Sequence, residues 1–327
     1  MKDRFVWGLD AATVGIEGQY AKPFINSISR HWHGYAGGKS PDMLRRLIDE
    51  AHRRKSYWLS IDYSKFDQTV PSWLIDWCFE TVKDQFDPKY HAEIDWIKYN
   101  FINTKVAVPG RGIVTKHKGI PSGSNFTQAI GSMANAVMAF SYMASLESTA
   151  EFQAKLDYVR ELVGLGESSR IPMFVMGDDN LMFVAASLNL EDLSRYVGRV
   201  FGVKINVDKC DAGSRYEFPK FLKREWRSKG EYQDPCRLVI NTVHAERPRS
   251  YRGYSPWHIV YGLYLTYQES FPRGWSERRF VEKMEAHGGV KALKGIPRSD
   301  LPGVFRPYGD DAISRMVERA ERLLNGY

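Results

Sequence analysis

The chain has 327 residues, 43% hydrophobic and 13% aromatic, enough to bury more than one core, so it is not a disordered protein. Its formal net charge of +7 suits polyanionic partners without demanding them, and Cys78, Cys210 and Cys236 lack both the pairing of a disulfide framework and the spacing of a metal site. No apolar run reaches the ~18 residues of a membrane span, and the N-terminus has no signal-peptide apolar core, so the expectation is a soluble protein of a reducing compartment without a membrane partner.

In chain order, Lys2 and Arg4 precede a short Phe-Val-Trp run, where they suit either phosphate contacts or a solvated basic end. Residues 22–39 read as a loop with interleaved aromatic and basic side chains, and His31 and His33 alone make no metal set. Residues 41–55 predict an amphipathic helix, with Leu44, Leu47, Ile48 and Ala51 on one face. A compact apolar strand over 57–61 ends in Asp62, and Asp67 lies on the turn into the next helix. That helix begins near Pro71 and carries Leu74, Cys78, Val82 and Phe86 at i, i+4 spacing. A second helix over 88–101 and a hairpin around 109–112 follow.

Residues 119–127 read Gly-Ile-Pro-Ser-Gly-Ser-Asn-Phe-Thr and run into a helix through Ala129, Ala134 and Val137. Small residues let a backbone approach a ligand closely and aim N–H groups at an anion; a plain loop with a helix cap fits the same letters. After a polar connection over 147–170, residues 172–184 form two apolar runs about Gly177, Asp178, Asp179 and Asn180, the pattern of a β-hairpin. Adjacent carboxylates there need a cation or hydrogen bonds if buried, and are otherwise a solvated tip. Asn189 caps a helix with Leu193, Val197 and Val200 in a stripe that Gly202 ends. A strand over 203–207 precedes Asp208 and Lys209, and residues 218–222 with the turn 228–230 suggest a hairpin flanked by Lys220, Lys223, Arg224 and Arg227. From about 241 the chain reads as helix and loop, with helical stretches at 256–268, 276–286 and 312–324.

The ordered set is a strand ending in Asp-x4-Asp, a Ser-Gly loop before a helix, a Gly-Asp-Asp hairpin, a helix then strand then Lys, and a basic hairpin. It resembles the palm of viral RNA-dependent RNA polymerases, motifs A to E between residues 57 and 230. The wording Asp-Tyr-Ser-Lys-Phe-Asp-Gln-Thr-Val-Pro, Gly-Ile-Pro-Ser-Gly-Ser-Asn-Phe-Thr-Gln and Phe-Leu-Lys-Arg looks most like the partitivirus and picobirnavirus group. A second Gly-Asp-Asp, at 309–311, stands before a helix where acids favourably meet the N-terminus, and reads as a cap.

The resemblance implies an α+β right-hand polymerase with an antiparallel palm sheet of βαββαβ type, partial fingers and a helical thumb. It divides the chain into partial fingers with a basic motif (1–56), palm motif A (57–70), a fingers insertion (71–115), palm motifs B to E (116–230) and a thumb (231–327). RNA-directed RNA synthesis is implied, by two-metal nucleotidyl transfer, with Asp62 and Asp178 holding two Mg²⁺ ions, for which Mn²⁺ can substitute, and Asp179 as an auxiliary ligand. By the same resemblance Asp67, Ser122, Thr127 and Asn135 face the ribose, with Gly123 beside them in the substrate site. Lys209 is the implied proton donor to pyrophosphate, against the alternative of a surface lysine beside Asp208, and Lys2 and Arg4 match a triphosphate-binding motif. Implied partners are template and product RNA, NTPs and viral capsid protein, in the host cytoplasm or within the virion.

This chain departs from the family pattern in two places. Many relatives have Asn four residues after the motif B Thr, where this chain has Gly131; its nearest Asn is Asn135, one helical turn further. The chain also begins almost at the basic motif, so much of the N-terminal fingers is expected to be missing. A reverse transcriptase and an inactive RNA-binding polymerase fragment are the alternatives, and the Gly before the Asp pair with the Ser-Gly-x3-Thr loop argues against the first.

Overall fold

The computed structural model describes residues 9–108, 110, 112–146, 173–184, 187–227, 230–238, 255–267, 270–271, 276–293 and 310–326. The chain divides into two units, residues 1–38 with 50–222, and residues 39–49 with 223–327. Among the described residues no helix is long and apolar enough to cross a membrane.

The first element is α1 (Ala11–His31), opened by Asp10, whose carboxylate accepts the Thr13 N–H at 2.9 Å. The loop expected over 22–39 is therefore helix as far as His31, with Pro23 inside it. An interior proline costs about 3 kcal/mol, yet Tyr20, Ala21 and Phe24 around it are all buried in the main core. Burying each aromatic contributes about 1.5–3 kcal/mol, which offsets the lost backbone bond. Helix α2 (Pro41–Arg54) buries Leu44, Ile48 and Ala51, as its periodicity predicts.

β1 (Tyr57–Ile61) and the two-residue β2 (Tyr63–Ser64) lead into a single helical turn, α3 (Phe66–Thr69). Helices α4 (Ser72–Lys83) and α5 (His91–Ile102) pack on each other and precede the antiparallel pair β3 (Lys105–Val108) and β4 (Gly112–Thr115). The long α6 (Thr127–Ser145) carries Ala129, Ile130, Ala134, Met138 and Ala139, all buried. The hairpin β5 (Met173–Met176) and β6 (Asp179–Val184) follows, then α7 (Leu190–Phe201), capped by the Asn189 side chain and ended by Gly202 at φ +68°. Next come β7 (Lys204–Ile205), a 3₁₀ turn over Val207–Lys209, β8 (Asp211–Ser214) and β9 (Lys220–Phe221). The strand expected over 203–207 is thus only two residues long before the chain tightens into that turn.

The central sheet runs β5-β6-β1-β8, with every neighbour antiparallel. β8 reads Asp-Ala-Gly-Ser, polar with no apolar alternation, and its fit depends on a distant residue: a Cβ on Gly213 would lie 2.7 Å from the Trp58 ring. α6 packs against β5, α4 and α7 over this sheet, and their apolar side chains form the core of the unit.

In the second unit, β10 (Arg224–Arg227) pairs antiparallel with β11 (Gly230–Tyr232). Arg224 is ion-paired to the buried Glu231, and Arg227 lies 4.1 Å over the Tyr232 ring. Helices α8 (Pro256–Thr266), α9 (Glu277–Ala286) and α10 (Asp310–Asn325) share a second core built on Tyr261, Phe280, Met284, Ile313 and Val317. Asp310 opens α10, so the second Gly-Asp-Asp does stand at a helix start.

Candidate active site at one end of the central sheet

β1 lies between β6 and β8 with Trp58, Leu59 and Ile61 buried, which fixes its register because a one-residue slip would exchange the faces of every side chain. Ile61 pairs with Asn180, so the next residue, Asp62, comes level with Asp179. Across the hairpin Met176 pairs with Asp179, leaving Gly177 and Asp178 as a two-residue turn. Gly177 takes φ +65°, the left-handed conformation that favours glycine and suits hairpin turns. Asp62, Asp178 and Asp179 therefore come together at one end of the sheet, the first two exposed and the third half-buried.

The backbone under these acids is tied down. The Asp62 N–H donates to Cys210 Sγ at 3.4 Å and its carbonyl accepts from the Asn206 N–H at 2.8 Å. Burial pushes the Cys210 thiol up, with the charges of Asp62 and Asp211 adding to it, so the sulfur meets the Asp62 N–H as a neutral thiol. Beneath the turn, Ser132 Oγ accepts the Gly177 N–H at 2.8 Å.

Asn135, expected to face the ribose, is buried with its amide bonded under the hairpin. It has no exposed surface, and its Nδ2 donates to the carbonyls of Gly177 (3.0 Å), Asp178 (3.1 Å) and Asp179 (3.4 Å). Its Oδ1 accepts from the Tyr63 hydroxyl at 3.2 Å and from Asn180 Nδ2 at 2.9 Å. The extra helical turn from Gly131 to Asn135 carries the amide under the hairpin. Gly131, at the position many relatives give to Asn, has its own reason: a Cβ there would touch Gly177 Cα at 3.4 Å and the Phe66 ring at 3.6 Å, leaving little room for a longer side chain.

Asp67 lies exposed in α3, just after Lys65 at φ +54°. Its carbonyl accepts the Ile120 N–H at 2.6 Å, which draws the small-residue loop to it. Gly119 makes that approach possible: it adopts φ +82°, and a Cβ would lie 2.5 Å from the Asp67 carbonyl oxygen. Lys116 anchors the same segment, its Nζ donating to the carbonyls of Phe101 (2.7 Å), Ile102 (3.3 Å) and Gly119 (2.7 Å). Burial pushes its ammonium down to about 8. Ser122 and Gly123 are exposed at the loop tip, and the half-buried Thr127 donates its hydroxyl proton to the Pro121 and Ser124 carbonyls. The structure thus brings Asp67 and the Ser122, Gly123 and Thr127 loop together, and Asp62 and the hairpin acids together, within one unit.

Lys209 is exposed at the end of the 3₁₀ turn, next in sequence to the Cys210 that meets Asp62. Lys2 and Arg4 lie outside the described residues. Sequence reasoning did not single out Glu17, Tyr63, Lys116, Ser132 or Cys210 for the site and took Asn180 only as a turn residue; Ser132, a polar residue in the small-residue helix of Asn135, left a readable signal. Among the described residues no group of three or more His, Cys, Asp or Glu is assembled to hold a metal. The donor set at the sheet end is all carboxylate oxygen, with two exposed members. That fits an ion such as magnesium, which takes one or two protein carboxylates and completes its shell with water and phosphate.

A family model described as viral RNA-dependent RNA polymerase matches residues 1–238. The RNA-directed RNA polymerase of Cryptosporidium parvum virus 1 (strain KSU-1) is 32% identical over 229 residues, 66% of this chain and 39% of that protein. The non-structural polyprotein 1AB of Ovine astrovirus 1 is 26% identical over 117 residues, 34% of this chain and 8% of that protein. Two crystal structures of the RNA-dependent RNA polymerase of a human picobirnavirus share the fold over 100% of this chain. One covers 62% of that protein at TM-score 0.64 and 18% identity; the other, an insertion-loop deletion mutant, covers 59% at TM-score 0.63 and 17% identity. The chain therefore spans about two fifths of the viral polymerase it matches in sequence.

Proposed function

The chain belongs to the viral RNA-dependent RNA polymerase family, and on that premise we propose that it adds NTPs to a growing RNA 3′ end on an RNA template, in viral genome replication and transcription. What supports the reading is the register of Ile61 opposite Asn180, with three carboxylates on the strand and turn ends beyond that pair. Asp62 and Asp178 would hold Mg²⁺, with Asp179 as an auxiliary ligand. When bound, the metal makes the attacking 3′-hydroxyl more acidic and neutralises charge on the leaving pyrophosphate.

The chain's own residues do the rest. Asp67 and the Ser122–Gly123–Thr127 loop orient the ribose; because Thr127 gives its proton to loop carbonyls, it meets a sugar hydroxyl as an acceptor. Lys209 donates the proton that pyrophosphate takes on leaving. Lys2 and Arg4 bind the triphosphate. Asn135 and Ser132 keep the acid-bearing turn in place, a role in geometry and not in sugar contact. The palm comprises 57–70 and 116–230 in this reading, with 71–115 a fingers insertion, 1–56 partial fingers and 231–327 the thumb.

The test is incorporation of labelled NTPs by the purified chain on an RNA template with a primer, in Mg²⁺ or Mn²⁺. We expect template-dependent extension that dNTPs do not support. RNA binding without extension in either metal would favour an inactive RNA-binding fragment, and equal use of dNTPs would favour a reverse transcriptase.

A further inference from the structure

We propose that Glu17 is a positioning residue for the nucleotide-facing loop, holding it from α1 through a buried carboxyl. Its consequence for substrate choice rests on the polymerase reading; its consequence for the loop does not. Glu17 lies within α1 and has no exposed surface. Its Oε2 accepts two hydrogen bonds from the loop, from Ser124 Oγ at 2.9 Å and from the Asn125 N–H at 2.9 Å. One turn back along the helix, the Val14 carbonyl accepts from Asn125 Nδ2 at 2.8 Å. Ser124 passes the grip on, its Oγ accepting the Phe126 N–H at 3.1 Å.

Burying a carboxyl without a counter-charge is unfavourable, and an apolar side chain of similar size would fill the space better. All of Glu17's protein partners are loop donors, and its Oε1 has no partner among the described atoms. Burial pushes the carboxyl above its usual range, against the two hydrogen bonds that pull it down. What an acid supplies here that a hydrocarbon does not is an acceptor for two loop donors at once. Residues 124–126 are thereby fixed to α1, while Ser122 and Gly123 stand exposed just before them. Where those two residues sit follows from where Glu17 holds the segment behind them, and binding sites lose selectivity when such support is loosened.

Hydrogen exchange read by mass spectrometry over 121–127 tests the grip without any substrate. We expect exchange there to rise about tenfold or more in Glu17→Ala, to rise less in Ser124→Ala, and to stay near wild type in Glu17→Gln, whose oxygen can accept both bonds. Protection over β1 and the β5–β6 hairpin should not change. In single-nucleotide incorporation, Glu17→Ala should raise KM for ATP more than it lowers kcat, and should cut the preference for ATP over dATP about tenfold. Glu17→Gln should recover both. Unchanged loop exchange in Glu17→Ala and Ser124→Ala overturns the proposal. Should Glu17→Ala lose protection throughout the chain, Ser124→Ala decides alone: faster loop exchange over an intact core supports the grip, and unchanged exchange removes it. A wild type with the expected exchange pattern but no nucleotide incorporation leaves the grip standing and sinks the polymerase reading instead.

Discussion

Asp62 and Asp178 are exposed at a strand end and a turn, while the peptide groups beneath them are bonded to Cys210, Asn206, Ser132 and Asn135. On the proposed function, chemistry and support are carried by different side chains, and their substitutions should fail differently. Asp62→Asn or Asp178→Asn should abolish extension with little change in thermal midpoint, since a metal ligand matters most where charge develops in the transition state; near-normal extension by a folded Asp178→Asn protein would refute the metal assignment. Asn135→Ala strips a donor from three carbonyls and an acceptor from Tyr63 and Asn180. Each buried group left unpaired costs about 1–3 kcal/mol, so the thermal midpoint should fall, and ATP and dATP incorporation should slow by the same factor. A selective loss of ATP use would return Asn135 to the sugar. Lys209→Leu should slow incorporation by about 10²- to 10⁴-fold if the lysine is the general acid, and an unchanged single-nucleotide rate would leave it a surface lysine beside Asp208.

At the level of elements, the approach of α3 and the small-residue loop depends on Gly119 and Lys116. Gly119→Ala sets a Cβ 2.5 Å from the Asp67 carbonyl at a φ that L-residues rarely adopt, so it should destabilise the loop and weaken discrimination for ribose together. Lys116→Met removes a donor from three carbonyls, of which that of Phe101 keeps the Thr104 hydroxyl, and should lower stability by about 1–3 kcal/mol at neutral pH. The pH dependence has a defined sign. With the folded-state ammonium down to about 8 against an ordinary 10.5, the unfolded chain binds more protons between those values. Wild-type stability should therefore rise relative to Lys116→Met as pH climbs through that window, which denaturant melts at pH 7.5 to about 10.5 would read.

Periodic elements were legible from sequence: the apolar stripes of α2 and α4, the hairpin that presents the acids, and the Leu193 and Val197 part of the α7 stripe, where Val200 proves exposed and Phe201 takes the buried position one residue on. The length of α1 was hidden by Pro23, whose local penalty is overridden by burial that only the fold supplies. β2 and β7 are too short to carry a pattern, and β8 is a polar edge strand whose pairing depends on Trp58 far away in sequence. Glu17 and Ser124 are 107 residues apart, so nothing local announced their bond.

For the whole molecule, a net charge of +7 suits a polyanionic partner, so the proposed RNA binding should be largely electrostatic. Binding to single-stranded RNA should weaken as salt rises, with log K falling by about 0.7 per decade of salt for each phosphate neutralised; fluorescence anisotropy across a salt series would read the slope, and a flat response would argue against phosphate contacts as the main source of affinity. The intact protein should prefer ATP to dATP by about 10⁴-fold, because a site built to bond a hydroxyl is left unpaired when that hydroxyl is missing. Asp67→Ala should narrow the gap by slowing ATP use. Competition assays on the two proteins would decide, and equal ratios would remove Asp67 from the sugar site.

The grip on the Gly177 turn acts on main-chain atoms only, through one serine hydroxyl and one asparagine amide. Its shape is therefore independent of which acids or amides the turn displays. A doubly substituted chain, with Asp62→Asn and Asp178→Asn, should superpose on the parent and still gather template, primer and nucleotide, yet stall before the bond forms. It would serve as a stopped frame for cryo-microscopy, capturing the assembled substrates in a protein whose only lesion is two missing charges.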